Sequence, residues 1–469
     1  MKIVKESIFK SRKLKDIHKE IQTVYLSDDR PWVIGFSGGK DSTVILQLIW
    51  YALSELPKNK LKKTIHVISS NTLVESPILI NYVGKIHKLI NSKAKEQGIP
   101  ITATHIFPKV EDTFWVNLIG KGYPAPTRMF RWCTERLKIK PADEFIFNTV
   151  SKYGEAIVVL GVRKEESTSR EQSMNTYKIQ GSLLSKHSKF SQAYVYTPIE
   201  EFTVDDVWSY LLQKKSPWGA NNRELLTMYS DKNSGECPLV VDNTSPSCGG
   251  SRFGCWTCTL VKKDKSMDNL ISSGEKWMQP LSDFRVKLYE TTDPEKKYKF
   301  RDFKSRRGFV RLKNDGSGKI ARGPYKFSYC KELLLELLKI QMKFNEQGID
   351  FQVINENEIH EIRKIWRNER NDWEDSIPKM YESVLGKSLN WVQDDFGEFS
   401  VSERELLKRI CEKNNVSTDL ILELLDVEKQ FQGMTRRANI YAKLGSTLKK
   451  EWRSEEEFLD SLKKKNENK

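Results

Sequence analysis

The sequence predicts an α/β protein: a parallel sheet flanked by helices, then a cysteine-rich segment, then a basic and mostly helical C-terminal region. Three observations predict it. Between residues 31 and 215 short apolar runs alternate with helical stretches, the pattern that parallel βαβ units leave in a sequence. At about residue 215 the periodicity stops, and Pro217, Pro238, Pro246 and four cysteines gather in a loop-rich stretch. Beyond residue 270 the chain is charged and its apolar residues recur at helical spacing. A chain of 469 residues exceeds the size at which one core keeps growing, so two or three structural units are expected.

Taken in order, residues 4–26 read as an opening helix and residues 31–36 (PWVIGF) as a short buried strand ending at a glycine-rich turn. An apolar helix follows over 43–56. Further strands are expected at 64–69, 101–107 and 157–162, separated by helices at 78–97 and 142–153. In the C-terminal region, 331–345 is an amphipathic helix closed by Gly348. There is no internal repeat, and the charged residues 463–469 are expected to be disordered. The boundaries implied are an N-terminal helix over 1–30, a nucleotide-type α/β domain over 31–215, a four-cysteine segment over 216–270 and a helical region over 271–469.

Composition narrows the function classes. With 38% hydrophobic and 30% charged residues and a mean hydropathy of -0.57, the chain reads as an ordinary water-soluble protein. No apolar run approaches the length of a bilayer span, and the charged N-terminus lacks the apolar core of a secretory signal. A cytoplasmic location is therefore expected, with no membrane partner. There disulfides are disfavoured, and clustered cysteines read as metal ligands or reactive thiols. A formal charge of +15 favours a polyanionic partner, because a positive surface gains affinity by displacing counterions from phosphates. A solvated basic surface explains the charge equally well.

Ser37-Gly38-Gly39-Lys40-Asp41-Ser42 stands between the first strand and the first helix of the sheet. At such a junction backbone amides and the positive end of the helix dipole can hold phosphate. Gly38 and Gly39 allow close approach, Lys40 supplies charge, Ser37 and Ser42 supply hydroxyls, and Asp41 can hold Mg²⁺ through water. The structural alternative is a tight strand–helix turn. The hexapeptide differs from the G-x-x-x-x-G-K-[ST] loop of γ-phosphate-cleaving NTPases.

Three more segments fall at the expected carboxyl ends of strands, the edge where open α/β sheets bind ligands. Residues 69–75 offer Asn71 and Thr72 to an adenine or ribose, or cap a helix. Residues 161–170 bring Gly161, Arg163, Glu166, Ser167 and Arg170, with two arginines suited to bidentate phosphate contact. Residues 131–138 set Cys133 among basic residues that favour its thiolate, making it a candidate sulfur carrier or, equally, a structural cysteine. Cys237, Cys248, Cys255 and Cys258 are spaced C-x10-C-x6-C-x2-C in a stretch too poor in regular structure to need them for packing, and suit either tetrahedral zinc or an iron–sulfur cluster. Cys330 and Cys411 lie in helical patterns and read as core.

The SGGKDS loop, Cys133-Thr134 followed by Leu137-Lys138, Gly161-Val162-Arg163 through Arg170, and Pro198-Ile199 through Asp206-Val207-Trp208-Ser209-Tyr210-Leu211 occur in that order. Together they resemble the phosphoadenosine-phosphosulfate reductase family of PP-loop ATP pyrophosphatases. The resemblance implies the PP-loop (adenine nucleotide alpha hydrolase-like) fold, ATP and Mg²⁺ at residues 37–42, and cleavage between the α and β phosphates. One departure bears on activity: the reductases end in E-C-G-x-H, whereas Glu236-Cys237 is followed here by Pro238-Leu239. The wording around the four cysteines, with Arg322-Gly323-Pro324-Tyr325 beyond it, is similar to the DndC family, the sulfurtransferases of bacterial DNA phosphorothioate modification. That implies a [4Fe–4S] cluster on Cys237, Cys248, Cys255 and Cys258, and sulfur incorporation into the DNA backbone. It implies a cysteine desulfurase and other proteins of the phosphorothioation system as partners. Lys40, Asp41, Cys133 and Arg163 are then the expected catalytic residues. Cys133 carries persulfide sulfur or replaces one of the cluster ligands. The rival readings are a phosphosulfate reductase on the same nucleotide site and a non-catalytic nucleotide-binding subunit of a DNA-modification complex.

Residues 296–313 (KKYKFRDFKSRRGFVRLK) interleave basic residues with Tyr298, Phe300, Phe303 and Phe309. They are a candidate DNA face, with Arg306 and Arg307 as its test residues, or a surface strand pair with its aromatics buried.

Overall fold

A computed structural model describes residues 6–230, 254–392 and 401–467. The chain divides into two compact units, one formed by residues 1–114 and 126–286, the other by 115–125 and 287–469.

The first unit holds a six-stranded sheet in the order β3-β2-β1-β4-β6-β5. β1 (Trp32–Gly35), β2 (Ile65–Ser70), β3 (Ile101–Ile106), β4 (Ala156–Val159) and β6 (Ala193–Tyr196) run parallel, and β5 (Leu184–Lys186) is antiparallel to β6. Register places Trp32 between Ile65 and Ile157, and Ile34 between Val67 and Val159. These residues face one layer, where they meet Ile17 and Ile21 of α1 (Leu14–Leu26) and Ile45 and Ile49 of α2 (Lys40–Ser54). Alternate residues Val33, Ile68, Val158 and Leu160 face the other layer, against Ala142 and Ile146 of the helix Lys140–Tyr153. Because β1 is buried on both faces, it reads as a continuous apolar run rather than an alternating one. Strand order runs outward from β1 to β3 and then reverses through β4, so the crevice between the ends of β1 and β4 is the topological switch point.

The first four strands fall where the sequence places them, whereas β5 and β6 lie where no strand is expected. α2, however, begins at Lys40 rather than residue 43, because Gly39 is its N-cap and the last residues of the phosphate loop form its first turn. The opening helix is interrupted: a 3-10 turn Ile8–Lys10 precedes α1, held by Ser7 and the Ile8 amide on the Asp206 carboxylate. α3 (Pro77–Gln97) starts with proline in its first turn and ends at Gly98 in the left-handed conformation.

In the second unit the helix Phe327–Glu346 packs on Ser376–Leu385, and the helix Glu356–Glu369 packs on a π-helical turn Val116–Gly120. Trp366 Nε1 donates to Ile119 O at 3.0 Å and Trp115 Nε1 to Val353 O at 2.8 Å. Cys330 and Cys411 are buried, as expected. The expectation of disorder over 463–469 fails for the described part. A helix runs Glu455–Glu467, its first turn closed by reciprocal bonds between Ser454 and Glu457, and Phe458 lies near Phe303. A charged sequence proved to be the end of an anchored helix. No helix among the described residues is long and apolar enough to cross a membrane.

Candidate functional site

The phosphate loop follows directly from β1. The Phe36 amide still bonds Ile68 O at 2.8 Å, after which Gly38 turns the chain at φ +72°. Only glycine suits that position, since a Cβ there would lie 2.8 Å from Val83 Cγ2 as well as carrying left-handed strain. The hydroxyls brace the loop: Ser37 Oγ and Ser42 Oγ are 3.0 Å apart, Ser42 donates to Gly39 O at 3.0 Å, and the Gly39 amide donates to Ser37 Oγ at 3.2 Å. The first turn of α2 therefore opens on the switch point, its dipole favouring an anion.

Gly161, just past β4, lets this strand end abut α2, since a Cβ would stand 3.1 Å from the Ser42 amide nitrogen. The close approach brings Arg163 onto the loop. Its Nε donates to Asp41 Oδ1 at 2.7 Å, and its guanidinium also reaches Glu165 at 3.2 Å, Glu166 at 3.9 Å and Phe202 O at 3.4 Å. Lys40 Nζ is 3.2 Å from Asp41 Oδ2. Lys40, Asp41 and Arg163 are each under 5% exposed. Arg170 pairs with Glu166, and Ser167 caps the helix that contains it. The network holds three cations against three carboxylates, so burial is offset internally. The Pro198–Leu211 stretch serves this network indirectly: it supplies Phe202 O, and Thr203 with Asp206 caps the helix Val204–Gln213 that fixes it.

A second group forms beyond β2. The Asn71 side chain accepts from the Leu73 amide at 2.9 Å, holding Leu73 at φ +64°. The Thr72 hydroxyl donates to Glu75 Oε1 at 3.1 Å and lies 3.4 Å from Cys255 Sγ. Thr72 thus joins a cysteine corner rather than the phosphate loop. Residues 254–256 run antiparallel to 74–76, with the Trp256 amide on Val74 O at 2.9 Å and the Ser76 amide on Gly254 O at 3.2 Å. The Cys258 amide bonds Cys255 O at 3.0 Å, closing the C-x2-C turn. Burial first and the Glu75 carboxylate second push the Cys255 thiol well up, and a charge on Cys133 adds to this, while Lys138 and Thr72 oppose it. Cys133, on the helical turn Trp132–Thr134, is thus within electrostatic reach of Cys255. Lys138 pairs with Glu75 at 3.3 Å.

Sequence reasoning missed Arg285. It is 2% exposed and donates to Cys258 O at 2.8 Å and Lys262 O at 3.2 Å, and also to Val261 O, so one guanidinium holds the turn after Cys258. An arginine in a charged helix gives no signal of burial.

Cys237 and Cys248 lie outside the described residues. Among the described residues no three of His, Cys, Asp or Glu converge on a metal position. The donor chemistry at the corner still suits a thiophilic metal group: Cys255 and Cys258 share a turn, Cys133 lies within electrostatic range of Cys255, and a cation would oppose the effects that push the part-buried Cys255 thiol up.

The basic segment 296–313 divides. Phe300 packs on Tyr329 at 4.9 Å, whereas Tyr298 and Phe309 are exposed. Arg306 is engaged by Glu369 at 3.0 Å and lies over the Tyr123 ring.

Residues 31–260 match the family model of the phosphoadenosine phosphosulfate reductase domain, and residues 402–444 match that of a small protein found in certain Dnd DNA modification systems. The latter span covers most of three consecutive helices, Val401–Lys413, Thr418–Gln430 and Ile440–Leu448. Two uncharacterized proteins of Methanocaldococcus jannaschii are similar. One is 27% identical over 57% of this chain and 45% of its own length, the other 29% identical over 38% and 34%. The chain thus spans less than half the length of these relatives. Among solved structures, the U34-tRNA thiolase NcsA from Methanococcus maripaludis with its [4Fe-4S] cluster is 14% identical, with a TM-score of 0.29 over 61% of this chain and 82% of that one. Candida glabrata FMN adenylyltransferase in complex with FMN and an ATP analogue is 14% identical, with a TM-score of 0.27 over 45% and 61%. The sheet is of the PP-loop, adenine nucleotide alpha hydrolase-like class, with a helical C-terminal region.

Proposed function

We propose that this chain is an ATP pyrophosphatase that activates a DNA backbone phosphate by adenylation and directs sulfur into it. The observation that carries the reading is the Lys40–Asp41–Arg163 network at the N-terminus of α2, on a switch point where Gly38 turns the chain and Gly161 lets the end of β4 abut the loop. Binding of Mg–ATP exchanges partners within that network. Lys40 and Arg163 turn their charge to the phosphates, and Asp41 turns to a water on Mg²⁺. A nonbridging oxygen of the acceptor phosphodiester attacks the α-phosphorus, the bond to the bridging oxygen breaks, and pyrophosphate leaves with the electron pair. Lys40 and Arg163 stabilise the charge that develops there. Sulfur from a cysteine desulfurase, released from its persulfide at the sulfide level by a thiol reductant that becomes a disulfide, then attacks the activated phosphorus, and AMP leaves with the electron pair.

Cys133, Cys255 and Cys258, with Cys237 and Cys248 as the remaining candidates, would hold the [4Fe–4S] cluster. When bound, the cluster would supply an iron site at which inorganic sulfur can be held. Cys133, within electrostatic range of Cys255, would serve either as a ligand or as a separate persulfide carrier. Glu75 and Lys138 set the charge around this corner.

Pyrophosphate and AMP released from Mg–ATP, with and without duplex DNA, test the reading. We expect release that DNA stimulates, and loss of about a hundredfold or more in Asp41→Asn, in line with removal of a charge-positioning group. Release unchanged in that variant would remove the assigned role of Asp41. The match of residues 31–260 to the reductase domain keeps one rival in view, and sulfite release from a nucleotide phosphosulfate would support it instead.

A further inference from the structure

In the second unit, residues 310–321 form a two-stranded ribbon. The Lys313 amide donates to Lys319 O at 2.8 Å, the Ala321 amide to Arg311 O at 2.7 Å, and Leu312 bridges Ile320 between them. Alternation in a strand pair places Arg311, Lys313 and Lys319 on one face and Leu312 and Ile320 on the other. Ile320 is buried, which turns that side of the pair inward at Ile320, while Leu312 beside it is exposed, as are Arg311, Lys313 and Lys319 on the other face. None of these cations has an ion-pair partner among the described residues. Several neighbouring cations of the same unit are paired: Arg306 with Glu369, Arg322 with Glu455, Arg453 with Glu451 and Lys450 with Glu423. The carboxylate at the ribbon tip, Asp315, is occupied by the Ser317 amide at 3.0 Å and hydroxyl at 2.5 Å. Positive charge also gathers behind the ribbon. The Lys297 ammonium is lowered by burial first and then by Arg301 and Lys313.

We propose that the cationic face of this ribbon docks the phosphate backbone of duplex DNA. Exposed like charges gathered on one face repel one another until a polyanion neutralises them, and Asp315 at the tip offsets only part of the charge of Lys313. A two-stranded ribbon fits the major groove of B-form DNA, which is about 12 Å wide. Along one strand Arg311 and Lys313 are about 6.7 Å apart, a spacing on the order of that between adjacent phosphates of one DNA strand. The face is distinct from the segment around Arg306, whose guanidinium is already engaged. The inference rests on DNA as the acceptor, and it names the surface that presents it.

Fluorescence anisotropy of the full chain on a labelled duplex of about two helical turns, titrated at several salt concentrations, tests it. In Arg311→Gln/Lys313→Gln/Lys319→Gln the slope of log K against log salt should fall by about 2.7, so that binding loses about fortyfold less between 50 and 200 mM salt than in the unaltered chain. The swap Arg311→Lys/Lys313→Arg/Lys319→Arg should restore the slope, which a merely unfolded ribbon would not do. Basal pyrophosphate release from Mg–ATP should be unchanged in both. An unaltered slope in the glutamine variant overturns the docking face, as does an unaltered chain that binds no duplex or that binds only an RNA duplex through these residues. The outcomes separate cleanly: binding through the ribbon without stimulation of pyrophosphate release would sink the acceptor reading alone.

Discussion

The phosphate loop and the cysteine corner occupy the same edge of one sheet but are built on opposite plans. The loop is local. Six consecutive residues make it, and one distant segment, residues 161–166, completes its charge balance with Arg163. The corner is assembled from four segments, 72–75, 133–138, 255–258 and Arg285, and few of its bonds join neighbours in sequence. The loop balances its buried charges in advance and needs only to exchange partners. In the corner, a part-buried thiol next to a carboxylate remains electrostatically unfavourable for ionisation. A site of the first kind suits a ligand that comes and goes, and one of the second suits a resident cation.

The largest expected effect would break this contrast if it failed. Cys255→Ser should abolish iron binding in anaerobically prepared protein while leaving ATP-dependent pyrophosphate release without DNA within a few-fold of the unaltered chain, because no loop residue depends on the thiol. Iron and sulfide assays alongside the absorbance near 400 nm, roughly where thiolate-to-iron charge transfer falls, measure the first. Cys133→Ser distinguishes the roles left to that residue: loss of iron marks a ligand, and full iron with lost modification marks a sulfur carrier.

What could be read in the sequence follows the same division. The loop was legible because its chemistry is contiguous and its glycines have local causes, and Arg163 because it stands at a fixed place after a strand. The sheet was legible through β4 but not beyond it, since neither β6 nor β5 was expected. β5 is three residues long, and its Ser185 and Lys186 give no apolar alternation, so it exists only because β6 is there to pair with it. The corner was half legible. The cysteines announced themselves, but the pairing of Glu75 with Lys138, the approach of Cys133 to Cys255 and the burial of Arg285 depend on chain segments far apart in sequence. Arg306 shows the converse, where a basic aromatic stretch gave no sign of the surface partner Glu369 that the fold brings to one of its arginines.

A smaller effect probes the junction of the two regions. Ser69 Oγ donates to Phe36 O at 2.5 Å and so accepts from His87 Nε2 at 2.8 Å, which links the end of β1 to the end of β2. That leaves Nδ1 as the unprotonated nitrogen, buried beside the His105 ring. Burial first, then the charge of His105, push the His87 imidazole down to about 4. Between that value and its ordinary value near 6.5 the unfolded chain binds more protons than the folded one. The contribution is therefore fully present above pH 6.5, is lost as pH falls toward 4, and amounts to on the order of 3 kcal/mol. Denaturant midpoints across that range should show it, and His87→Gln should flatten this part of the slope. A slope unchanged in the variant would mean that His87 is not the group that titrates.

The smallest effect sharpens the comparison from the loop side. In Gly161→Ala the added methyl would stand 3.1 Å from the Ser42 nitrogen and 3.2 Å from the Asp41 carbonyl carbon, both backbone atoms that can give only by moving the first turn of α2. The backbone at Gly161 is not left-handed, so the penalty is crowding alone, about 1–2 kcal/mol of stability by the usual cost of overpacking. A shift of a few tenths of an ångström there lengthens the contact between Arg163 and Asp41 and moves the amides that meet phosphate. KM for ATP should therefore rise several-fold with a smaller change in kcat, measured as pyrophosphate release, while iron content stays the same. If iron were lost together with ATP affinity, the two regions would share one mechanical element and the separation drawn between them would fail at β4. If neither changed, the abutment of β4 on α2 would be slack, and Arg163 would owe its position to the Phe202 carbonyl and its carboxylates instead.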